Sequence, residues 1–249
     1  MNENRNIIEQ PKKQTDIASR FDCVVSPSLS LVTNENCMEM MSRYSDKFFE
    51  LAVVDPPYGL DMSQKLYKRG QSCKANGYKG HLDKDWDKQI PNKEYFDELF
   101  RVSKNQIIWG GNYFVNFLPI KMGWIIWNKV QRGYSFADGE LAWTSFNKAL
   151  RIFDYARGNE SGFAPKLRGE ERAGINIHPT QKPIALYSWI YVNYTTEGQK
   201  ILDTHLGGGS SRVAACKAKL DFYGCEIDKD YYDLQENRFK KFVSQLTLW

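Results

Sequence analysis

The stretch that most narrows the folds open to this chain is residues 200–228. An apolar strand ends at Asp203, a glycine turn follows at Gly207, Gly208 and Gly209, and a helix then carries Val213, Cys216 and Leu220 on one face. A second strand at 222–225 is closed by Glu226, 23 residues after Asp203. This is a βαβ unit of the nucleotide-binding kind. The glycines let the backbone turn tightly and approach a ligand, and Ser210 or Ser211 is expected to cap the helix. An acid about 20 residues beyond the first strand is suited to bind ribose hydroxyls, so Glu226 points to an adenosine-containing ligand. Positions 207–212 run Gly-Gly-Gly-Ser-Ser-Arg, which is not the Gly-x-Gly-x-x-Gly of dinucleotide binders and argues against a dehydrogenase.

A second block lies far upstream. Residues 51–58 read Leu-Ala-Val-Val-Asp-Pro-Pro-Tyr. The unbroken apolar run is that of a strand buried on both faces, and the two prolines cannot continue a ladder, so Asp55 and Tyr58 fall at the strand's carboxyl end. Open α/β sheets bind ligands at that end. The residue types suit an exocyclic base amine, whose lone pair is delocalised into the ring and whose N–H groups need acceptors. Asp55 supplies one and the carbonyl of Pro56, aimed by Pro57, another; Tyr58 offers a flat face for a base removed from its stack.

Asp55-Pro56-Pro57-Tyr58 resembles the catalytic motif of the S-adenosylmethionine-dependent amino-methyltransferases that modify adenine N6 or cytosine N4 in DNA. The family's cofactor loop, usually Asp-Pro-Phe-x-Gly-Ser-Gly-Thr, is followed here at Asp203, Gly207 and Gly209. It is departed from at Thr204, His205, Gly208 and Ser210. His205 still presents a flat ring. Residues 178–183, His-Pro-Thr-Gln-Lys-Pro, resemble the family's block upstream of that loop; there the resemblance implies that Thr180 and Lys182 meet the cofactor's carboxylate end. A strand at 29–32 followed by Asn34-Glu35-Asn36-Cys37 resembles the segment contacting the cofactor's adenine, with Asn36 where the family usually has an acid.

The catalytic turn precedes the cofactor loop, as in the beta group of these enzymes. The resemblance implies an α/β, Rossmann-like methyltransferase fold, with a seven-stranded, mostly parallel sheet, helices on both faces and a final antiparallel strand. It also implies S-adenosylmethionine as cofactor, S-adenosylhomocysteine as product and double-stranded DNA as partner. The cofactor-binding set is then Asp203, His205, Gly207, Gly209, Ser210, Glu226, Thr180, Lys182 and Asn36, and the catalytic set Asp55, Pro56, Pro57 and Tyr58. Asp55 favours adenine N6, because the family's N4-cytosine enzymes usually carry serine there. N4-cytosine methylation and a non-catalytic, methyltransferase-like DNA-binding subunit are the alternatives.

The chain has 249 residues, enough for one α/β domain at 23–249 behind a lead-in at 1–22 rich in Asn, Gln, Lys and Glu. Five cysteines without Cys-x-x-Cys spacing indicate neither a zinc site nor a disulfide framework, and no metal is expected. No apolar run is long enough for a membrane span and no leader is evident, which points to a cytoplasmic protein associated with the nucleoid through DNA. The net charge of +4 is mild, but its placement is informative. A loop at about 61–90 carries Lys65, Lys68, Arg69, Lys74 and Lys79 interleaved with tyrosines, a makeup suited to phosphates and exposed bases. A small target-recognition insertion is expected at about 151–176, including Arg151 and Arg157. So short an insertion fits a short target site, a second subunit as in a homodimer, or relaxed specificity; a separate restriction nuclease is compatible with all three.

Overall fold

The computed structural model describes residues 29–61, 87–133, 137–156, 177–178 and 180–246. The lead-in at 1–22, Lys65, Lys68, Arg69, Lys74, Lys79, Arg157 and most of the expected recognition insertion lie outside the described residues.

Eight strands form one sheet: β1 (Ser30–Thr33), β2 (Phe49–Val54), β3 (Ser103–Trp109), β4 (Trp124–Asn128), β5 (Gly139–Thr144), β6 (Arg151–Asp154), β7 (Lys200–Asp203) and β8 (Asp221–Cys225). Their order is β1-β8-β7-β2-β3-β5-β4-β6. Every pairing is parallel except those of β5, which runs antiparallel to both β3 and β4. The mostly parallel sheet is thus present with eight strands among the described residues, and its reversed strand lies inside the sheet. Arg151, the first residue of the expected insertion, belongs to the edge strand β6.

Among the described residues five α-helices accompany the sheet: α1 (Cys37–Ser42), α2 (Lys93–Val102), α3 (Ile184–Tyr194), α4 (Ser210–Lys217) and α5 (Lys229–Leu246). They fall on two faces because β2 alternates. Leu51 and Val53 point to one face, with Ile107, Trp109, Ile201, Leu186, Ile190, Val213 and Phe242 of the surrounding elements. Ala52 and Val54 point to the other, with Ile108, Leu202, Met40, Met41, Phe96 and Leu99. Both sets are buried, which is why 51–54 reads as an uninterrupted apolar run. Burying each large aliphatic side chain contributes roughly 1.5–3 kcal/mol relative to exposure. Among the described residues, no helix is long and apolar enough to cross a membrane.

The strand order places the two sequence blocks together. β2 leads through α2 to β3 on one side, whereas β7 leads through α4 to β8 on the other, and β2 and β7 are paired neighbours. The chain therefore diverges between them, and a crevice opens at their carboxyl ends. Asp55 follows β2 and the glycine loop follows β7, so residues widely separated in sequence share one crevice.

Candidate active site

A cavity of about 850 Å³ occupies that crevice, and its wall includes Asp55, Tyr58, Lys182, His205, Gly207 and Glu226. Pro56, Pro57, Asn36, Thr180 and Ser210 also line it, whereas Asp203 and Gly209 stand behind the wall. Arg151 is elsewhere, exposed on β6 beside a small separate hollow with Lys148 and Trp189.

The Asp55–Tyr58 turn is held from several sides. Asp87 accepts hydrogen bonds at Oδ1 from the backbone N–H groups of Tyr58 (2.9 Å) and Gly59 (3.0 Å), fixing the chain beyond the prolines. The Tyr58 hydroxyl donates to Asp55 Oδ1 at 2.5 Å. Its ring is stacked with Tyr113, centroids 5.0 Å apart and planes 18° apart. Gly110 closes against the same ring. It has φ of +70°, and a Cβ there would come within 2.2 Å of Tyr58 Cε1, so both the conformation and the space require glycine.

Lys182 stands on this side of the cavity. Its ammonium pairs with Asp55 Oδ2, lies 3.2 Å from Glu140 Oε2 and donates to the Tyr58 hydroxyl at 3.2 Å. Glu140 in turn meets Lys129 through Oε1 at 2.7 Å. The charges alternate along Asp55, Lys182, Glu140 and Lys129. A buried ammonium needs counter-charges, and Asp55 and Glu140 supply them, so Lys182 is engaged with the Asp55–Tyr58 turn while lining the same cavity. Burial pushes the Asp55 carboxyl upward, against the pull of Lys182. For Lys182, burial favours the neutral amine, yet the two carboxylates outweigh it and keep it protonated.

The glycine loop is fastened to the acids at both of its ends. Asp203 accepts the backbone N–H of His205 at 3.1 Å through Oδ1 and the Ser211 hydroxyl at 2.5 Å through Oδ2. Burial raises its pKa to about 7; these two donors oppose the rise, and the Asp55 and Glu226 charges add to it. Glu226 accepts from Gly207 N–H (2.8 Å) and Asp228 N–H (2.9 Å). A carboxylate has further lone pairs, so Glu226 retains capacity to accept from hydroxyls. The helix cap is Gly209, with φ of +72°, and not a serine: Ser211 is turned inward to Asp203, and the Ser210 hydroxyl accepts from Arg238 at 3.1 Å.

His205 packs edge-on to Tyr95 at 5.4 Å, and burial lowers its pKa to about 4, so it is neutral at pH 7. Thr180 is paired with the His178 ring, its Oγ1 3.2 Å from Nδ1. The Asn36 side chain caps α1 by accepting Met38 N–H at 2.8 Å.

The fold is similar to that of class I methyltransferases. A family model described as DNA methylase matches residues 151–237. The Type II methyltransferase M2.MboI of Moraxella bovis is 23% identical, the match covering 85% of this chain and 88% of the relative. Among solved structures, the M1.HpyAVI–SAM complex has a TM-score of 0.52 at 18% identity, covering 84% of this chain and 100% of that one. The PvuII DNA methyltransferase, titled cytosine-N4-specific, has a TM-score of 0.55 at 11% identity, covering 89% and 94%. In these matches the chain is similar to the S-adenosylmethionine-dependent DNA amino-methyltransferases.

The M1.HpyAVI structure is a complex with S-adenosylmethionine, and the residues present here fit that cofactor. Gly208 leaves a cradle, since a Cβ there would lie 2.3 Å from Gln181 Oε1. That oxygen is buried without a hydrogen-bond donor, and it suits the ammonium of the methionine part. Glu226 suits the ribose, as its position at the end of β8 implies.

Glu140, Lys129, Asp87 and Tyr113 are not singled out by the sequence, and Gln181 is marked only as a member of the 178–183 block. The nearest signals are an acid inside the apolar strand β5 and a lysine directly after β4.

Proposed function

We propose that this protein transfers a methyl group from S-adenosylmethionine to the N6 amine of adenine in double-stranded DNA, taking the base out of the helix to do so. The observation that carries the reading is Asp55 beside Tyr58 at the mouth between β2 and β7, directly across from the glycine loop. Extrusion of the base is the means by which such a site reaches an atom buried in a duplex.

Asp55 and the Pro56 carbonyl accept the amine's N–H groups and turn its lone pair toward the donor. Tyr58 supports the base plane, and Asp87 and Gly110 hold Tyr58 in place. The cofactor, held by Glu226, Gly208 and Gln181, would supply an electrophilic methyl and keep the electron pair of the S–C bond as the N–C bond forms, and the methylated nitrogen would shed one proton to solvent. Alignment of this kind supplies much of the rate. The chemistry asks for no metal and no thiolate, since the amine attacks directly. Asp55 in place of serine supports adenine over cytosine.

The test is transfer of labelled methyl to unmethylated duplex DNA followed by nucleoside analysis. Label in N6-methyladenine is expected; label in N4-methylcytosine overturns the choice of base, and binding of cofactor and DNA without transfer identifies a non-catalytic subunit.

Gly110→Ala gives a second check. The new methyl group forces the Tyr58 ring aside and leaves a non-glycine residue at positive φ, a cost of about 1–2 kcal/mol. The expected outcome is a fall in kcat of about tenfold or more with cofactor affinity retained, since 1 Å misplacements act on this scale; wild-type kcat would show that the Tyr58 position is unimportant.

A further inference from the structure

We propose that Glu140 is a positioning residue that shares the Lys182 ammonium with Asp55, drawing it off Asp55 Oδ2 when the substrate amine arrives. The inference rests on the proposed role of Asp55 as acceptor for that amine.

Both oxygens of Asp55 are already engaged, Oδ1 by the Tyr58 hydroxyl at 2.5 Å and Oδ2 by Lys182. An amine that donates N–H to Asp55 must compete with one of them. Releasing a buried ammonium with nowhere to go leaves an uncompensated charge, which is prohibitive in a site where the Lys182 side chain is 2% exposed. Glu140 removes that obstacle. It stands 3.2 Å from the same nitrogen, so a small displacement exchanges one carboxylate for the other without passing through an unpaired state. As the methyl is transferred, positive charge develops on the amine nitrogen, and an ammonium resting on Asp55 would oppose it. With Lys182 on Glu140, the Asp55 carboxylate faces the developing cation.

Lys129 sets how strongly Glu140 pulls. It is buried with its nitrogen 2.7 Å from Glu140 Oε1 and 5.0 Å from the Trp127 ring centre, so it has a fixed position and shares the Glu140 charge. The charged and titratable groups acting on Asp55 are therefore Lys182 before α3, Glu140 on β5, Lys129 behind Glu140, and Tyr58 in its own turn. Tyr187 on α3 and Asp203 on β7 also act on it electrostatically.

The two sides of the network predict opposite shifts. Glu140→Gln removes a like charge from the neighbourhood of Asp55 and leaves Lys182 on it, so the acid limb of the kcat profile moves to lower pH and kcat falls about tenfold. Lys129→Met frees Glu140 to hold Lys182 more strongly and takes away a cation, so the acid limb moves to higher pH. Both variants are compared with wild type in single-turnover methyl transfer across pH 5 to 8, with cofactor affinity measured by calorimetry. The same shifts are read without DNA or turnover by carbon NMR of labelled aspartate carboxyls, assigned with Asp55→Asn, so the result stands apart from the identity of the substrate. Opposed movements of the Asp55 titration support the proposal, and a variant that fails to fold leaves the other to carry it. Titrations that stay put or move together overturn it, as does a Glu140→Gln enzyme with wild-type kcat. Failure of wild type to methylate DNA, with the NMR shifts present, overturns the proposed substrate and leaves the charge sharing intact.

Discussion

Replacing Asp55 with alanine is expected to lower kcat for methyl transfer by about 10³-fold, the scale seen when one group that acts on the reacting atoms is removed. S-adenosylmethionine affinity is expected to stay close to wild type. The substitution deletes the acceptor that holds the amine and, with it, the carboxylate that the Tyr58 hydroxyl bonds at 2.5 Å. Among the described residues Asp55 bonds Tyr58 and Lys182, and not the proposed cofactor contacts Glu226, Gly208 and Gln181. Losing one partner of a buried ion pair commonly destabilises by about 3–5 kcal/mol, because the other is stranded. Here Lys182 keeps Glu140 at 3.2 Å and the Tyr58 hydroxyl at 3.2 Å, so the variant is expected to fold. Single-turnover transfer and calorimetric cofactor binding on the same preparation check both halves. A kcat within tenfold of wild type would remove Asp55 from the reaction, and equal loss of cofactor affinity would make it part of the donor site.

The backbone frame of this site was legible in the sequence because its signals are local. Residues 51–54 are apolar at every position, which only a strand covered on both faces tolerates, and the prolines after Asp55 mark where it stops. The strand, turn and helix around Gly207 likewise follow from short-range pattern. The reversed strand β5 was not legible. Its burial runs from half-covered to covered along its length, without the strict alternation of a one-sided strand or the uniform apolarity of a central one.

The charge network was hidden for a different reason. Lys182 sits in a segment whose sequence likeness ties it to the cofactor, yet a buried ammonium is governed by whichever carboxylates the fold brings within reach. Those come from β2 and β5, which are separated in the sheet by β3. No spacing rule on a single chain encodes such a meeting. The serine caps fail similarly: Ser211 has the right local position for capping α4, but a buried Asp203 needs a donor and takes its hydroxyl. Local preference yields where a buried charge would otherwise be left without partners.

Asp203 gives the other large expected effect, and it runs opposite to the usual consequence of changing a residue in a ligand loop. Its side chain is buried and its pKa is raised to about 7 in the folded protein, against 3.8 for a free aspartate side chain. Between those values the folded state holds a proton that the unfolded state has released, so stability is full below about pH 3.8 and is lost progressively as the pH climbs to about 7. The loss at pH 8 is roughly 4 kcal/mol at about 1.4 kcal/mol per unit. Asp203→Asn keeps both hydrogen bonds, its carbonyl accepting His205 N–H and its amide donating to the Ser211 hydroxyl, and it has no charge to bury. The cofactor-free variant is therefore expected to melt about 10 °C above wild type at pH 8, and within about 2 °C of it near pH 4. Paired thermal unfolding across that range checks the sign as well as the size. Equal melting temperatures at pH 8 would mean that Asp203 ionises in the fold without penalty. A higher melting temperature for the variant would mean that the loop keeps a carboxylate at a standing cost to the fold. Such a local conflict is expected where a residue is retained for the ligand it serves.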